Sequence, residues 1–187
     1  SFQLMMVIGV ENVLLPVITK RDFGTASVFA IAAVLFSLGG AISAIICINA
    51  KVKDPGLVSV VVWGLFIFAP LVLAFPAPKE LIYFAYFAAG FSIGPWEAFW
   101  ATQVQREVPA EYQGRVFAID YMGSLGLMPI GMALAGPLVN LFGERELLIG
   151  VAVFHLLICA VVLFVPGVKQ MKSTKPPYYS QGEQSHS

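Results

Sequence analysis

Between Val58 and Ala74 the chain carries no charged side chain, and apolar residues there do not alternate with polar ones. A run of this kind decides most of what the chain can become. A helix of ~20 mostly apolar residues crosses a hydrocarbon core about 30 Å thick. Inside lipid every backbone N–H and C=O needs a partner within the protein, which leaves helices and closed barrels. Barrel strands alternate with a period of two, so this run is read as a membrane-spanning helix.

Five more segments follow the same logic. The six spans are read as 2–18, 25–49, 57–75, 81–103, 116–141 and 147–165. Of the 187 residues, 58% are hydrophobic and 12% charged, against about a quarter charged in soluble domains. Short connections with turn chemistry join the spans, including Asp54-Pro55-Gly56 and Pro76-Ala77-Pro78. The expectation is an all-α, polytopic membrane protein: a six-helix bundle over residues 1–168 and a polar, disordered tail over 169–187. The third span, free of charge, is read as an outer, lipid-facing helix.

Formal charges cancel to +0, which gives nucleic acid no basic field to bind. Cys47 and Cys159 lie in apolar stretches and have no metal-ligand spacing, so neither a metal nor a cofactor is expected. No nucleotide loop or nucleophile elbow is present, and an enzyme is not expected. Lys51, Lys53, Arg106, Arg115, Lys169, Lys172 and Lys175 fall on one side of the membrane. Lys20, Arg21, Lys79 and Arg145 fall on the other. The richer side is read as cytoplasmic, which places the C-terminus on the cytoplasmic side of the cell membrane.

Small residues mark close-packing faces. Gly90 and Gly94 on the fourth span, and Gly39/Ser43 and Gly40/Ala44 on the second, have the spacing that lets helix backbones approach. The fifth span holds Gly123, Gly126, Pro129, Gly131, Gly136 and Pro137. Its two prolines each remove a backbone hydrogen bond and should bend it. A bend with a mechanical role is expected there.

Ionisable residues within spans are expensive and point to function. Glu97 shares a helical face with Gly90, Gly94 and Ala101, so its carboxylate is expected to point into the bundle. A proton-coupling or substrate-binding role competes with a structural hydrogen bond. Trp96 and Trp100, one turn apart, could hold an aromatic or cationic substrate. Glu11, followed by Asn12, could line a substrate cavity. Asp120 lies near the start of the fifth span beyond Gly114-Arg115. There it either complements the helix dipole or makes a gate contact, with Arg115 as one partner. His155, alone among apolar neighbours, is read as a neutral imidazole hydrogen-bonded inside the bundle, with a proton relay as the alternative.

The stretch Gly94-Pro95-Trp96-Glu97 through Val108-Pro109 to Gly114-Arg115-Val116 goes further. With Asp120-Tyr121-Met122-Gly123-Ser124 and the set Pro129, Gly131, Gly136, Pro137, it resembles the tenth and eleventh helices of major facilitator superfamily transporters. It is most similar to the drug and macrolide efflux branch. The resemblance implies the C-terminal half of a twelve-helix carrier, with the first, second, fourth and fifth spans on the cavity or the seam between halves. The third and sixth would be peripheral. It implies proton-coupled efflux of a small amphiphilic compound by alternating access, with a missing N-terminal six-helix half as partner in the bilayer. The loop from Lys51 to Gly56 lacks the full Gly-x-x-x-Asp-Arg-x-Gly-Arg signature, so no latch is expected there. A six-span channel or structural membrane subunit is the alternative, without a filter-like loop to support it. The loops are too short for the membrane part of an ATP-driven exporter.

Overall fold

The structure, a computed structural model, describes residues 2–49 and 54–164. The tail expected over 169–187 and the lysines at 51, 53, 169, 172 and 175 lie outside these residues. Every regular element among the described residues is helical. They are α1 (Phe2–Phe23), α2 (Ser27–Asn49), α3 (Pro55–Trp63), α4 (Phe68–Ala74), α5 (Lys79–Glu107), α6 (Ala110–Leu125), α7 (Met128–Phe142) and α8 (Glu144–Phe164). A 3₁₀ turn, Gly64–Ile67, joins α3 to α4, so these form one span. α6 and α7 together form another.

Among the described residues four segments can cross a membrane by length and composition: Ser27–Cys47, Gly56–Ala74, Ala110–Phe142 and Glu144–Phe164. α1 and α5 are long enough, at 22 and 29 residues, but are diluted by polar residues. Those two helices carry Glu11 and Glu97.

The two most extensive helix pairings are α2 with α5 and α1 with α7; α8 packs on α3 and α4. α5 also packs along the third span, through α3, the 3₁₀ turn and α4, whereas α1 meets α8 only lightly. Backbone proximity explains both major crossings. A Cβ on Gly90 would overlap the Phe36 carbonyl of α2, and one on Gly39 would overlap the Phe87 carbonyl of α5. A Cβ on Gly9 would lie 3.1 Å from Gly131 Cα. Helix association in lipid depends on such packing because tails are as apolar as side chains.

One end of the bundle is tied by polar contacts. Arg21 Nη1 donates to both carboxylate oxygens of Glu144, 3.0 Å each. The Arg145 guanidinium sits 4.5 Å from the Phe75 ring centroid. These contacts gather the first, third and fifth connections at one end, as the charge pattern requires. Gly143 closes α7 at φ 89°, a backbone conformation that favours glycine.

Two expectations need correction. The third span is not a bare outer helix: 50% of its apolar window is buried, against 11% for the fifth. Trp63, Phe66, Val72 and Leu73 belong to the core. Lack of charge cannot separate lipid-facing from protein-facing surface, because both are apolar. In the fifth span the break falls at Gly126–Leu127, just ahead of α7, whose second residue is Pro129. Pro129 has no N–H to donate to Leu125. Pro137 lies inside α7, which continues through it.

Candidate functional site

Gln3 of α1 and Glu97 and Gln103 of α5 border one cavity. This cavity, of about 450 Å³, opens between α1, α3, α5 and α6, with single residues from α7 and α8. This lies within the usual 300–1,000 Å³ of small-molecule sites. α5 contributes Ile93, Trp96, Glu97, Phe99, Trp100 and Gln103. α6 faces it with Asp120, Tyr121, Ser124 and Leu125. Gln3 of α1 and Ser59 and Trp63 of α3 complete the polar and aromatic lining.

The chemistry of this wall is one-sided. Among the described residues its ionisable carboxyl groups are Glu97 and Asp120, and no Lys, Arg or His lines it. All three tryptophans of the chain border it. The Trp63 and Trp96 ring centroids lie 6.1 Å apart at 32°. Indole faces attract cations, and two carboxylates beside them add charge of the matching sign. The Trp100 indole nitrogen is buried and donates to no acceptor among the described residues. No group of His, Cys, Asp and Glu that could hold a metal occurs among the described residues.

Glu97 therefore departs from its expected position. Its side chain borders the cavity and is exposed rather than packed on α2. Gly90 and Gly94 do pack on α2. A step of three residues turns a helix by about 300°, which leaves Glu97 some 60° off the Gly94 face. That offset is enough to bring it round to the opening between α5 and α6.

Of the other residues read from the sequence, Trp96, Trp100 and Asp120 join Glu97 in the cavity. Glu11 does not line it. It is buried at 4% exposure, and its Oε1 finds no partner among the described residues. Tyr86 of α5, whose hydroxyl is also buried and unpartnered there, lies within electrostatic reach. Asn12 is exposed on α1, away from the cavity lining. Gly114 and Arg115 are exposed near the start of α6, where Arg115 lies 5.8 Å from the Tyr112 ring. Among the described residues the ion pairs are those of Arg21, so Arg115 and Asp120 form none. Gly131 is buried against Gly9, while Pro129, Gly136 and Pro137 are exposed. Sequence reasoning missed Gln3, Ser59, Tyr121 and Ser124. Of these, Gln3 carried a signal: it is a lone amide in the first turn of an apolar span.

The sequence profile of the Major Facilitator Superfamily matches residues 1–180. The chain belongs to the Major Facilitator Superfamily. It is thus a polytopic helical membrane protein from a family of transporters. A curated relative, the multidrug efflux pump Tap of Mycolicibacterium fortuitum, is 31% identical over 111 residues. That match covers 58% of this chain and 27% of the relative, so it spans about a quarter of the relative's length. No solved structure matches the chain significantly.

Proposed function

We propose that this chain is one half, helices seven to twelve, of a secondary active transporter that exports a small amphiphilic compound in exchange for protons. Residues 1–168 would form the membrane unit and 169–187 a cytoplasmic tail in the plasma membrane of the cell. A second six-helix half would complete the substrate pathway between the two, as alternating access requires.

One observation carries this reading: the tryptophan-walled cavity whose charged groups are the carboxylates Glu97 and Asp120. A proton or an organic cation relieves the repulsion between two carboxylates that open on the same space. Competition between proton and substrate for Glu97 then links the gradient to transport. Trp96 and Trp100 hold the apolar part of the substrate. The break before Pro129 lets α6, with Asp120, move against α7, which is locked to α1 at Gly9 and Gly131. Gly114 and Arg115 at the start of α6, and Gly136 and Pro137 in α7, would belong to the same moving span. Glu11, buried outside the cavity, is a second candidate for the proton.

The test is substrate flux in proteoliposomes containing the intact carrier, with and without an imposed pH gradient. Glu97→Gln retains shape and removes the charge. Gradient-driven flux should fall by at least roughly tenfold, the scale of one lost charge-assisted interaction. Inserted, folded protein with unchanged gradient-driven flux refutes the role of Glu97.

A further inference from the structure

Behind the cavity wall lies a polar group that the transport reading does not use. His155 of α8 is fully buried at 0% exposure and touches two cavity-lining residues on other helices. Its Nε2 is 3.0 Å from the Trp63 carbonyl oxygen, and its Nδ1 is 2.9 Å from Gln3 Nε2. The Trp63 and Phe66 rings flank the imidazole at centroid distances of 5.6 and 5.7 Å.

The tautomer follows from the partners. A backbone carbonyl can only accept, so His155 Nε2 carries the proton and donates it to Trp63. In the neutral ring Nδ1 is then bare and accepts from the Gln3 amide N–H. This fixes which end of the Gln3 amide faces the histidine. The nitrogen is engaged by His155 on a side chain that borders the cavity, and Cys159 of α8 stands beside both, its Sγ 3.7 Å from His155 Nε2 and within hydrogen-bond reach of the Gln3 amide.

We propose that His155 is a positioning residue for ligand selection: it holds the Gln3 amide oxygen toward a ligand N–H, so the cavity favours aromatic cations that carry N–H donors. This rests on the reading of the cavity as the ligand site. A glutamine unable to choose its orientation would present donor or acceptor indifferently, and the preference would be lost.

Two lipophilic cations separate the cases. Proflavine carries N–H donors; tetraphenylphosphonium has none. Their equilibrium binding is measured with the intact carrier in nanodiscs, for wild type, His155→Phe and His155→Gln. The phenylalanine keeps a ring but makes neither hydrogen bond. The glutamine can donate to the Trp63 carbonyl and accept from Gln3. Proflavine should bind His155→Phe roughly fivefold to tenfold more weakly, the scale of one hydrogen bond. Tetraphenylphosphonium should stay within about twofold, well inside that scale. His155→Gln should restore proflavine binding. If His155→Phe does not fold, Gln3→Leu should show the same selective loss. Equal weakening of both cations, or no change in either, overturns the positioning role and leaves the cavity reading standing. Failure of the wild type to bind either cation overturns both.

Discussion

The two halves of α5 do different work with similar-looking sequence. Gly90 and Gly94 lie so close to α2 that a Cβ on either would meet backbone or Ser43. Within two further turns, Trp96, Glu97 and Trp100 border an open cavity. Pro95 stands between the two patterns, inside a helix that continues to Glu107. The segment from Gly90 to Gly94 has no room and no ionisable group, and the turns that follow have both. The difference teaches how a span can be anchored and functional at once: small residues fix one face, while larger polar and aromatic ones remain on the face that the anchor leaves uncovered.

The largest effect should come from the anchored half. Gly90→Leu forces side-chain atoms into the Phe36 carbonyl, and overpacking of this kind costs about 1–3 kcal/mol, more where backbone must move. Little folded protein should survive detergent extraction, as judged by monodisperse yield. Normal yield would mean that α2 and α5 can separate without harm. On the cavity side, Trp100→Ala should leave the yield near that of the wild type. It should weaken an aromatic cation by about 1–2 kcal/mol in equilibrium binding. A collapse in yield would make Trp100 an anchor after all.

A smaller effect is expected at the break in the fifth span. Pro129→Ala restores the missing N–H and should slow turnover several-fold without loss of protein, whereas Pro137→Ala should change turnover less. Equal effects from both would remove the break as the hinge. The smallest effect belongs to Arg21, which is 55% exposed where it pairs with Glu144. Arg21→Ala should lower stability by only about 0–1 kcal/mol, the range for exposed ion pairs. Thermal unfolding in detergent measures it, and a large shift would show that the tied end of the bundle is a structural clamp.

What could be read from the sequence follows from what a single helix can reveal about itself. Apolar runs and breakers located the spans, and glycine spacing found the faces that meet in α2 and α5. Ionisable residues within a span picked out Glu97 and Asp120, which the fold brings to one cavity. Which neighbour each face meets depends on the whole bundle, and this accounts for the misses. Glu11 and Glu97 look alike along the chain, yet one is enclosed and the other borders the cavity. Trp63 sits in a span without charge that looked lipid-facing, because apolar residues suit lipid and protein equally. Gln3 reaches the cavity only because α1 passes beside α8, where His155 holds its amide.

The central claim is that the cavity beside Glu97 receives the transported molecule. Its lining includes all three tryptophans of this chain, so ligand entry can be followed by energy transfer from tryptophan to proflavine in the purified carrier. Comparison of wild type with Trp96→Phe and Trp100→Phe assigns the signal to this wall. Saturable quenching is expected that loses amplitude in both variants, with affinity at least roughly tenfold weaker in Glu97→Gln. Saturable quenching whose amplitude and affinity are the same in all of these proteins would contradict it.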